Sequence, residues 1–304
     1  MPSYNNQRKK LMTKCGYVSV VGRPNAGKSS LLNWLVDEKI AMVSHKANAT
    51  RKRSNIIVMN GDDQIIFVDT PGLHQTEKLL NQYMLEEALK AMGDCDVILF
   101  LAPVTDQVSH YEDFLEKNKK NTKHILLLTK IDFVSNEELL TKMDEYKKFE
   151  GTYEAIIPVS IKRSTERSDI LNVVTQYLPE HPPLYDTEIM TTEHLRDIFK
   201  EFIREAIFEN ISDEIPYETD VLINKVEEKP HIDVIKATII VQKSTQKGMI
   251  IGKGAVAIKR VGKTAREKIE QLTGKKAYLE LFVSVKKGWT KSKEGLKDLG
   301  YDVD

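Results

Sequence analysis

The segment with the clearest chemical pattern is residues 22–29, which read GRPNAGKS. Two glycines separated by four residues precede Lys28 and Ser29, and this spacing is that of a phosphate-binding P-loop. The glycines let successive backbone N–H groups point at a β-phosphate, and a helix starting here adds partial positive charge. Lys28 would reach the β- and γ-phosphates, and the Ser29 hydroxyl would bind Mg²⁺. The segment therefore predicts a nucleoside triphosphate site.

A second polar segment, DTPG at residues 69–72, follows the apolar run 65–68. If that run is a strand beside the P-loop strand, Asp69 stands where it can hold Mg²⁺ through water. The Gly72 N–H can then bond the γ-phosphate. Alone, the four residues indicate only a turn, but together with a P-loop they predict a phosphate sensor.

Two further loops end apolar runs, TKID at residues 129–132 and SIK at residues 160–162. Ligands of open α/β sheets bind outside the carboxyl ends of the strands, where both loops are expected. The Asp132 carboxylate can accept two hydrogen bonds from guanine N1 and N2, and adenine has no such pair of donors. The stem of Lys130 can cover one face of the base. The loops therefore favour a guanine nucleotide.

The elements that must position these loops follow an alternating order. Apolar runs predict strands at 17–21, 56–59, 65–68, 97–102, 124–129 and 156–159, with amphipathic helices at 29–38, 78–92, 109–119, 136–149 and 168–177. Runs that are apolar throughout suit strands buried on both faces of a parallel sheet. Strands that alternate with helices predict a doubly wound, mostly parallel α/β domain. The runs 56–59 and 65–68 flank a turn and predict an antiparallel hairpin.

The order of elements changes after a proline-rich stretch at 179–183. We predict an N-terminal tail at 1–14, a nucleotide-binding domain at 15–180, a stiff linker at 181–190 and a second domain at 191–304. The second domain is predicted to contain a helix at 191–209, strands at 217–228 and 232–242, a short turn ending at 250–251, a helix at 257–272, a strand at 277–286 and a short helix at 290–299. This order predicts an α+β fold.

The second domain contains IIGKGAVAIK at residues 250–259, which is similar to the I-G-x-x-G-x-x-I core of KH domains. The element order also fits the type II KH arrangement. In KH domains this loop clamps the backbone of four nucleotides. Ala255 stands where the motif has its second glycine, and its methyl group adds bulk to the clamp. The predicted RNA-binding residues are Ile251, Gly252, Lys253, Gly254, Ala255, Ile258, Lys259, Arg260 and Lys263.

GRPNAGKS, DTPG, TKID and SIK, in this order and followed by a KH motif, closely resemble the Era-type GTPases. The switch stretch of residues 48–53, NATRKR, is similar to the family's TTRxR. The resemblance implies a GTP hydrolysis site with roles for Lys28, Thr50 and Gly72. It implies Mg²⁺ at Ser29, Thr50 and Asp69. The implied GTP-binding residues are Gly22, Asn25, Ala26, Gly27, Lys28, Ser29, Ser30, Asp69, Gly72, Thr129, Lys130, Asp132, Ser160, Ile161 and Lys162.

Two departures from the usual GTPase pattern affect the site. Thr129 replaces the usual asparagine of the base-specificity loop, and a hydroxyl cannot reproduce a two-ended amide contact to the P-loop. We expect weaker nucleotide binding with guanine specificity retained through Asp132. Leu73 stands where Ras-like GTPases have a water-orienting glutamine, which predicts slow intrinsic hydrolysis. In some relatives a K⁺ ion held by the P-loop asparagine assists hydrolysis, and Asn25 has that position here.

The resemblance also implies partners and a location. In Era-type proteins the KH groove binds the 3′ end of 16S ribosomal RNA, and the protein assists 30S subunit assembly. We expect a cytoplasmic monomer, with weak peripheral membrane association left open. We also expect GTP to order the loop around Thr50 and the segment after Gly72 and to move the KH domain through the linker. Two alternatives remain, a P-loop ATPase or kinase, and an RNA-binding module that holds its nucleotide structurally.

Composition limits the classes that remain. The chain has 304 residues, 41% of them hydrophobic, and no uncharged apolar stretch long enough for a membrane span. Its two cysteines are too few for a disulfide framework. Its net charge of zero hides an asymmetry, because residues 181–233 carry 5 basic and 14 acidic side chains whereas residues 234–304 carry 16 and 7. The basic block contains the KH loop, which places an RNA there. The acidic block would repel misplaced RNA or pack on a basic surface.

Overall fold

A six-stranded sheet forms the first half of the computed structural model, which describes residues 13–41, 50–73, 79–163, 165–211 and 215–303. Its strands are β1 (Cys15–Val21), β2 (Ser54–Asn60), β3 (Asp63–Asp69), β4 (Val97–Pro103), β5 (His124–Thr129) and β6 (Ala155–Val159). Their order in the sheet is β2-β3-β1-β4-β5-β6, and β2 alone runs antiparallel to its neighbour. The predicted doubly wound α/β domain and its hairpin are confirmed.

Helices cover both faces of this sheet, namely α1 (Lys28–Val36), α2 (Leu79–Gly93), α3 (Ser109–Lys117), α4 (Asn136–Lys147) and α5 (Arg167–Gln176). Every residue of β4 is buried, as a strand covered on both faces requires. Because β1, β3, β4, β5 and β6 are parallel, the loops after them converge at one edge of the sheet. This edge contains all four predicted nucleotide-binding segments.

The second domain consists of α6 (Leu195–Asn210), β7 (Asp220–Glu228), β8 (Ile232–Val241), α7 (Ser244–Ile251), α8 (Val256–Thr273), β9 (Lys276–Val285) and α9 (Lys293–Lys297). Its sheet order is β7-β8-β9, with β7 antiparallel and β9 parallel to β8. Helix α6 packs on α8 and β7, and α8 packs on β9. The order of elements confirms the type II KH arrangement.

Several predicted bounds in this domain are wrong. The predicted short turn before residue 250 is the eight-residue helix α7. The first helix begins at Leu195, and the strand predicted from residue 217 begins at Asp220 after a 3-10 turn. The last helix is shorter than predicted because a 3-10 turn at Trp289 precedes it. The domain boundaries themselves stay a prediction.

Buried apolar side chains connect the two domains. One cluster extends from Leu32 of α1 through Val18 and Phe67 of the first sheet to Phe199 and Ile203 of α6. A smaller cluster joins Leu80, Tyr83 and Met84 of α2 to Trp289, Leu296 and Tyr301 near the C-terminus. Trp289 is fully buried and is a core aromatic of this cluster.

The linker segment lies against the first sheet. The backbone N–H of Ile57 donates to the Met190 carbonyl oxygen over 2.8 Å, and the hydroxyls of Tyr17 and Tyr185 are 3.2 Å apart. Among the described residues, no helix has the length and apolarity that a membrane crossing requires.

Candidate nucleotide and RNA sites

The P-loop occupies the turn between β1 and α1. Its backbone conformation and packing require glycine at positions 22 and 27. Gly27 has φ +102°, a conformation that L side chains rarely adopt. A Cβ on Gly22 would lie 2.9 Å from the Leu101 carbonyl oxygen. The ammonium of Lys28 arches over the loop and donates to the carbonyl oxygens of Gly22 (3.1 Å) and Arg23 (3.2 Å). Burial lowers the pKa of Lys28 to about 8, and an anionic phosphate beside it would favour the charged form.

Three oxygen-bearing side chains meet beside the P-loop. The Ser29 hydroxyl donates to Asp69 Oδ2 over 2.9 Å, and the Thr50 hydroxyl does so over 3.3 Å. Burial raises the pKa of Asp69 to about 6. Its second oxygen, Oδ1, is buried without a hydrogen-bond partner among the described residues. Hard oxygen donors and an unsatisfied carboxylate oxygen are what Mg²⁺ prefers, so these residues fit the ion.

The DTPG segment interlocks with the P-loop. The Thr70 hydroxyl donates to the Val20 carbonyl oxygen over 2.6 Å, and the Leu73 N–H donates to the Gly22 carbonyl oxygen over 3.2 Å. A Cβ on Gly72 would lie 2.8 Å from the Pro24 nitrogen, so the close approach of the two loops requires glycine. The two loops are therefore held against each other by hydrogen bonds and close packing.

The base-specificity loop also contacts the P-loop. The Thr129 hydroxyl donates to the Ala26 carbonyl oxygen over 3.2 Å, and the Lys130 ammonium donates to the Asn25 carbonyl oxygen over 2.8 Å. Lys130 has φ +61°, which is uncommon for a residue other than glycine. The Thr129 hydroxyl therefore makes the contact to the P-loop, and the expectation that it cannot also reach the base as the two-ended asparagine amide does stays a prediction.

The last loop orients the predicted guanine acceptor. The Ser160 hydroxyl donates to Asp132 Oδ1 over 2.8 Å and accepts the Lys162 N–H over 3.2 Å. Ile161 is exposed, and Ser160 is buried. The Ser160 hydroxyl, which follows β6, therefore holds the Asp132 carboxylate in place.

Sequence reasoning missed two residues that hold these loops. Asp106, after β4, forms a two-pronged ion pair with Arg23 of the P-loop. The Thr165 hydroxyl accepts the Ser160 N–H over 3.0 Å. No sequence signal joins positions more than eighty residues apart, although Arg23 lies within the motif. Asn48 and Ala49 of the predicted switch stretch, and the start of the helix predicted at residue 78, lie outside the described residues.

Three of the four residues of the GKGA loop have positive φ angles. Gly252, Gly254 and Ala255 have φ values of +72°, +61° and +62°. A Cβ on Gly252 would lie 2.8 Å from the Ala257 Cβ, so only glycine fits there. Ala255 adopts the left-handed conformation despite its Cβ, which costs roughly 1–2 kcal/mol. The left-handed backbone at Ala255 therefore lowers the stability of the folded chain.

Basic side chains surround this loop. Lys253, Lys259, Arg260 and Lys263 are exposed, and Lys263 forms an i,i+4 pair with Glu267. Within the described part of the chain, no carboxylate pairs with the other three. The predicted apolar residues Ile251 and Ile258 are half-buried beside them. The loop therefore has free positive charge next to apolar surface.

Strand β9 is an edge strand of the second sheet, and the predicted RNA-binding residues include none of its side chains. Its half-buried residues Leu279, Leu281 and Val283 lie on the helix-covered face. A Cβ on Gly262 of α8 would be 3.7 Å from Leu281 Cδ1, which is ordinary contact distance. These strand residues therefore belong to the core of the second domain beneath α8.

A P-loop, a phosphate-sensing loop and two base loops on a doubly wound sheet, followed by a KH fold, define a GTPase joined to an RNA-binding module. A family profile described as 50S ribosome-binding GTPase matches residues 17–130, and one described as KH domain matches residues 214–290. GTPase Era of Campylobacter lari is 50% identical over 289 residues, 95% of this chain and 99% of that protein. GTPase Era of Campylobacter concisus is 51% identical over 95% of this chain and 100% of that protein.

Solved structures agree with these relatives. The crystal structure of Era in complex with MgGDPNP and nucleotides 1506–1542 of 16S ribosomal RNA is 34% identical, with a TM-score of 0.91, and covers 96% of this chain and all of that one. A variant of Aquifex aeolicus Era bound to GDP·AlF4⁻ has the same identity, TM-score and coverage. The chain belongs to the Era GTPase family. It is a GTPase, so the ATPase or kinase alternative is wrong.

Proposed function

We propose that this chain is a Mg²⁺-dependent GTPase whose KH domain binds the 3′ end of 16S ribosomal RNA and assists assembly of the 30S subunit. The observation that carries the proposal is the GKGA loop, with Lys253, Lys259 and Arg260 exposed beside it and unpaired with any described carboxylate. Basic side chains without an acidic partner are available to contact phosphates and release their counterions. The relative solved with nucleotides 1506–1542 of 16S ribosomal RNA supports the choice of RNA.

The nucleotide half of the proposal rests on the oxygen cluster. Ser29, Thr50 and Asp69 would hold Mg²⁺, which would neutralise charge on the GTP phosphates. Lys28 would bind the phosphates, and the loop after β5 would hold the base. The apolar Leu73 offers no group to orient water, which supports slow hydrolysis until a partner acts. Hydrolysis of the nucleotide distinguishes this proposal from a KH module with a structurally held nucleotide.

Crosslinking in cells followed by RNA sequencing tests the RNA assignment. We expect a peak at the 3′ end of the small-subunit RNA, and a uniform distribution along ribosomal RNA would contradict it. In vitro, the double variant Lys259→Ala and Arg260→Ala should weaken binding of an RNA of nucleotides 1506–1542 and lower its salt dependence. The matched control is Lys119→Ala with Lys120→Ala, two exposed lysines after α3 in the other domain.

We propose a cytoplasmic monomer as the working form. Size-exclusion chromatography with light scattering should give a mass near 34.7 kDa. Cell fractionation should recover the protein with the soluble and ribosomal fractions. Recovery mainly with the membrane fraction would contradict the assignment to the cytoplasm.

A further inference from the structure

Two adjacent residues, Thr50 and Arg51, contact different domains. The Thr50 hydroxyl lies 3.3 Å from Asp69 Oδ2 at the nucleotide site. The Arg51 side chain is almost fully buried and extends into the KH domain. Its guanidinium donates to the carbonyl oxygens of Thr219 and Tyr217, each over 2.9 Å. A displacement of the KH domain would therefore pull directly on the backbone of Thr50.

The pocket that receives Arg51 is a built polar site. Asp220 is completely buried, and its Oδ2 lies 3.8 Å from the Arg51 guanidinium. The Tyr301 hydroxyl donates to the same oxygen over 2.6 Å, and Lys200 lies 3.2 Å from the other. The Arg51 guanidinium also stacks 5.7 Å from the Trp289 ring centre. Residues from α6, β7 and the C-terminal segment thus close around one side chain of the first domain.

A second ion pair between the two domains is formed by Lys39, which precedes residues 42–49 in the sequence. The Lys39 ammonium lies 2.9 Å from Glu205 of α6, whose side chain is almost fully buried. Lys268 of α8 lies 2.9 Å from the same Glu205 oxygen. Helix α8 is the helix that follows the GKGA loop. The two described flanks of the segment, at Lys39 and Arg51, are therefore both attached to the KH domain.

The acidic block, residues 181–233, supplies the carboxylates of both contacts between the domains. Asp220 and Glu205 belong to this block, which carries 14 acidic and 5 basic side chains. Their partners from the first domain, Arg51 and Lys39, are basic. Of the two roles left open by the sequence, packing against a basic surface accounts for these two carboxylates. The charge asymmetry therefore contributes to domain docking.

We infer that the KH domain is a structural part of the Mg²⁺·GTP site, with Arg51 as the residue that positions Thr50. This inference rests on the proposed Mg²⁺ role of Thr50. The docked domain fixes Thr50 near Asp69, so less ordering of Thr50 is needed when the nucleotide binds. The contact is direct, whereas the sequence had suggested coupling through the linker. Thr50 contacts a GTP-state ion by family resemblance, so GDP binding should depend on Arg51 much less.

The test is Arg51→Met in the full chain without RNA. Asp220 retains Lys200 and Arg204 in this variant, so no unpaired buried charge remains. Equilibrium binding of a fluorescent non-hydrolysable GTP analogue and of fluorescent GDP is measured across a Mg²⁺ titration. We expect about ten-fold weaker Mg²⁺-dependent binding of the GTP analogue, the size of one lost charge-assisted contact, and less than about two-fold for GDP. Equal loss for both nucleotides, or no loss for either, would overturn the inference.

Two further variants separate positioning from folding. Arg167→Met is the matched control, because Arg167 of α5 pairs with Asp37 inside the first domain and outside the switch stretch, and it should leave both affinities unchanged. In a Thr50→Ala background, Arg51→Met should add little, since its effect passes through Thr50. Additive losses would overturn the inference. If Arg51→Met fails to fold, Arg51→Lys gives the same comparison, because it keeps a charge beside Asp220 but loses the planar fork that reaches the carbonyl oxygens of both Tyr217 and Thr219. Because no RNA is present, failure here is distinct from failure of the RNA assignment.

Discussion

The Thr129 hydroxyl donates a 3.2 Å hydrogen bond to the carbonyl oxygen of Ala26, which joins the base-specificity loop to the P-loop. Both groups are buried, so the bond has no competition from water. Removing the hydroxyl would leave a buried carbonyl oxygen without this donor, and such a loss costs roughly 0.5–1.5 kcal/mol or more.

We therefore expect Thr129→Val to weaken GDP binding several-fold, as measured by titration calorimetry. Thr129→Ser keeps the hydroxyl and is the control, with affinity close to that of the unmodified chain. Equal affinity of the valine variant and the unmodified chain would show that the bond does not support nucleotide binding.

Asp132 determines the choice of base in our proposal. The Ser160 hydroxyl donates to its Oδ1 over 2.8 Å and holds the carboxylate in place. Asp132→Asn replaces acceptors with a donor that suits the O2 of xanthine. We expect GTP binding to weaken by about ten-fold or more and xanthosine triphosphate binding to improve, measured by competition against labelled GDP. Retained GTP preference would contradict the base assignment.

Asn25 is the predicted K⁺ ligand, and it lies exposed in the P-loop with φ +63°. A cation beside the phosphates would stabilise charge that develops during hydrolysis. We expect GTP turnover in the presence of the RNA partner to be at least about ten-fold faster in K⁺ than in Na⁺. The difference should vanish in Asn25→Ala, and equal turnover of the unmodified chain in the two salts would refute the role.

Ala255 adopts a left-handed backbone with φ +62°. Glycine has no Cβ to strain in that conformation, so Ala255→Gly should raise the free energy of unfolding by up to about 1 kcal/mol, net of the greater flexibility of the unfolded chain. The measurement is urea unfolding followed by circular dichroism. Gly254→Ala, at the neighbouring position with φ +61°, should change stability in the opposite direction. Destabilisation by Ala255→Gly would mean that the methyl group makes a favourable contact.

His124 makes stability depend on pH. Burial lowers its pKa from 6.5 to about 4, and its Nε2 lies 2.7 Å from the Tyr111 hydroxyl. The unfolded chain therefore binds a proton that the folded chain excludes, so stability falls as pH drops from 6.5 toward 4. The slope attributable to His124 is about 1.4 kcal/mol per pH unit at most. His124→Gln should flatten the profile between pH 6.5 and 4.5, and an unchanged profile would exclude His124 as its cause.

Helix α7 illustrates where sequence reasoning stops. Its eight residues include Gly248 and have no marked apolar face. The helix forms because Gln246 Oε1 accepts the backbone N–H groups of Gln242 and Lys243, each over 2.9 Å, and because Ile250 is buried in the KH core. Side-chain capping and tertiary burial stabilise a segment whose own preference for helix is weak.

The sequence by itself determined the nucleotide and RNA loops, because each is a short contiguous segment whose glycines and polar residues act through the local backbone. It also determined the order of the strands and of the helices other than α7, since apolar periodicity is a local property. The tertiary structure decided which distant charges meet. The pairs Arg23–Asp106, Arg51–Asp220 and Lys39–Glu205 join residues 83 to 169 positions apart. Such pairs form only when the folded chain brings loops and helices that are distant in sequence together, and no local sequence pattern predicts them.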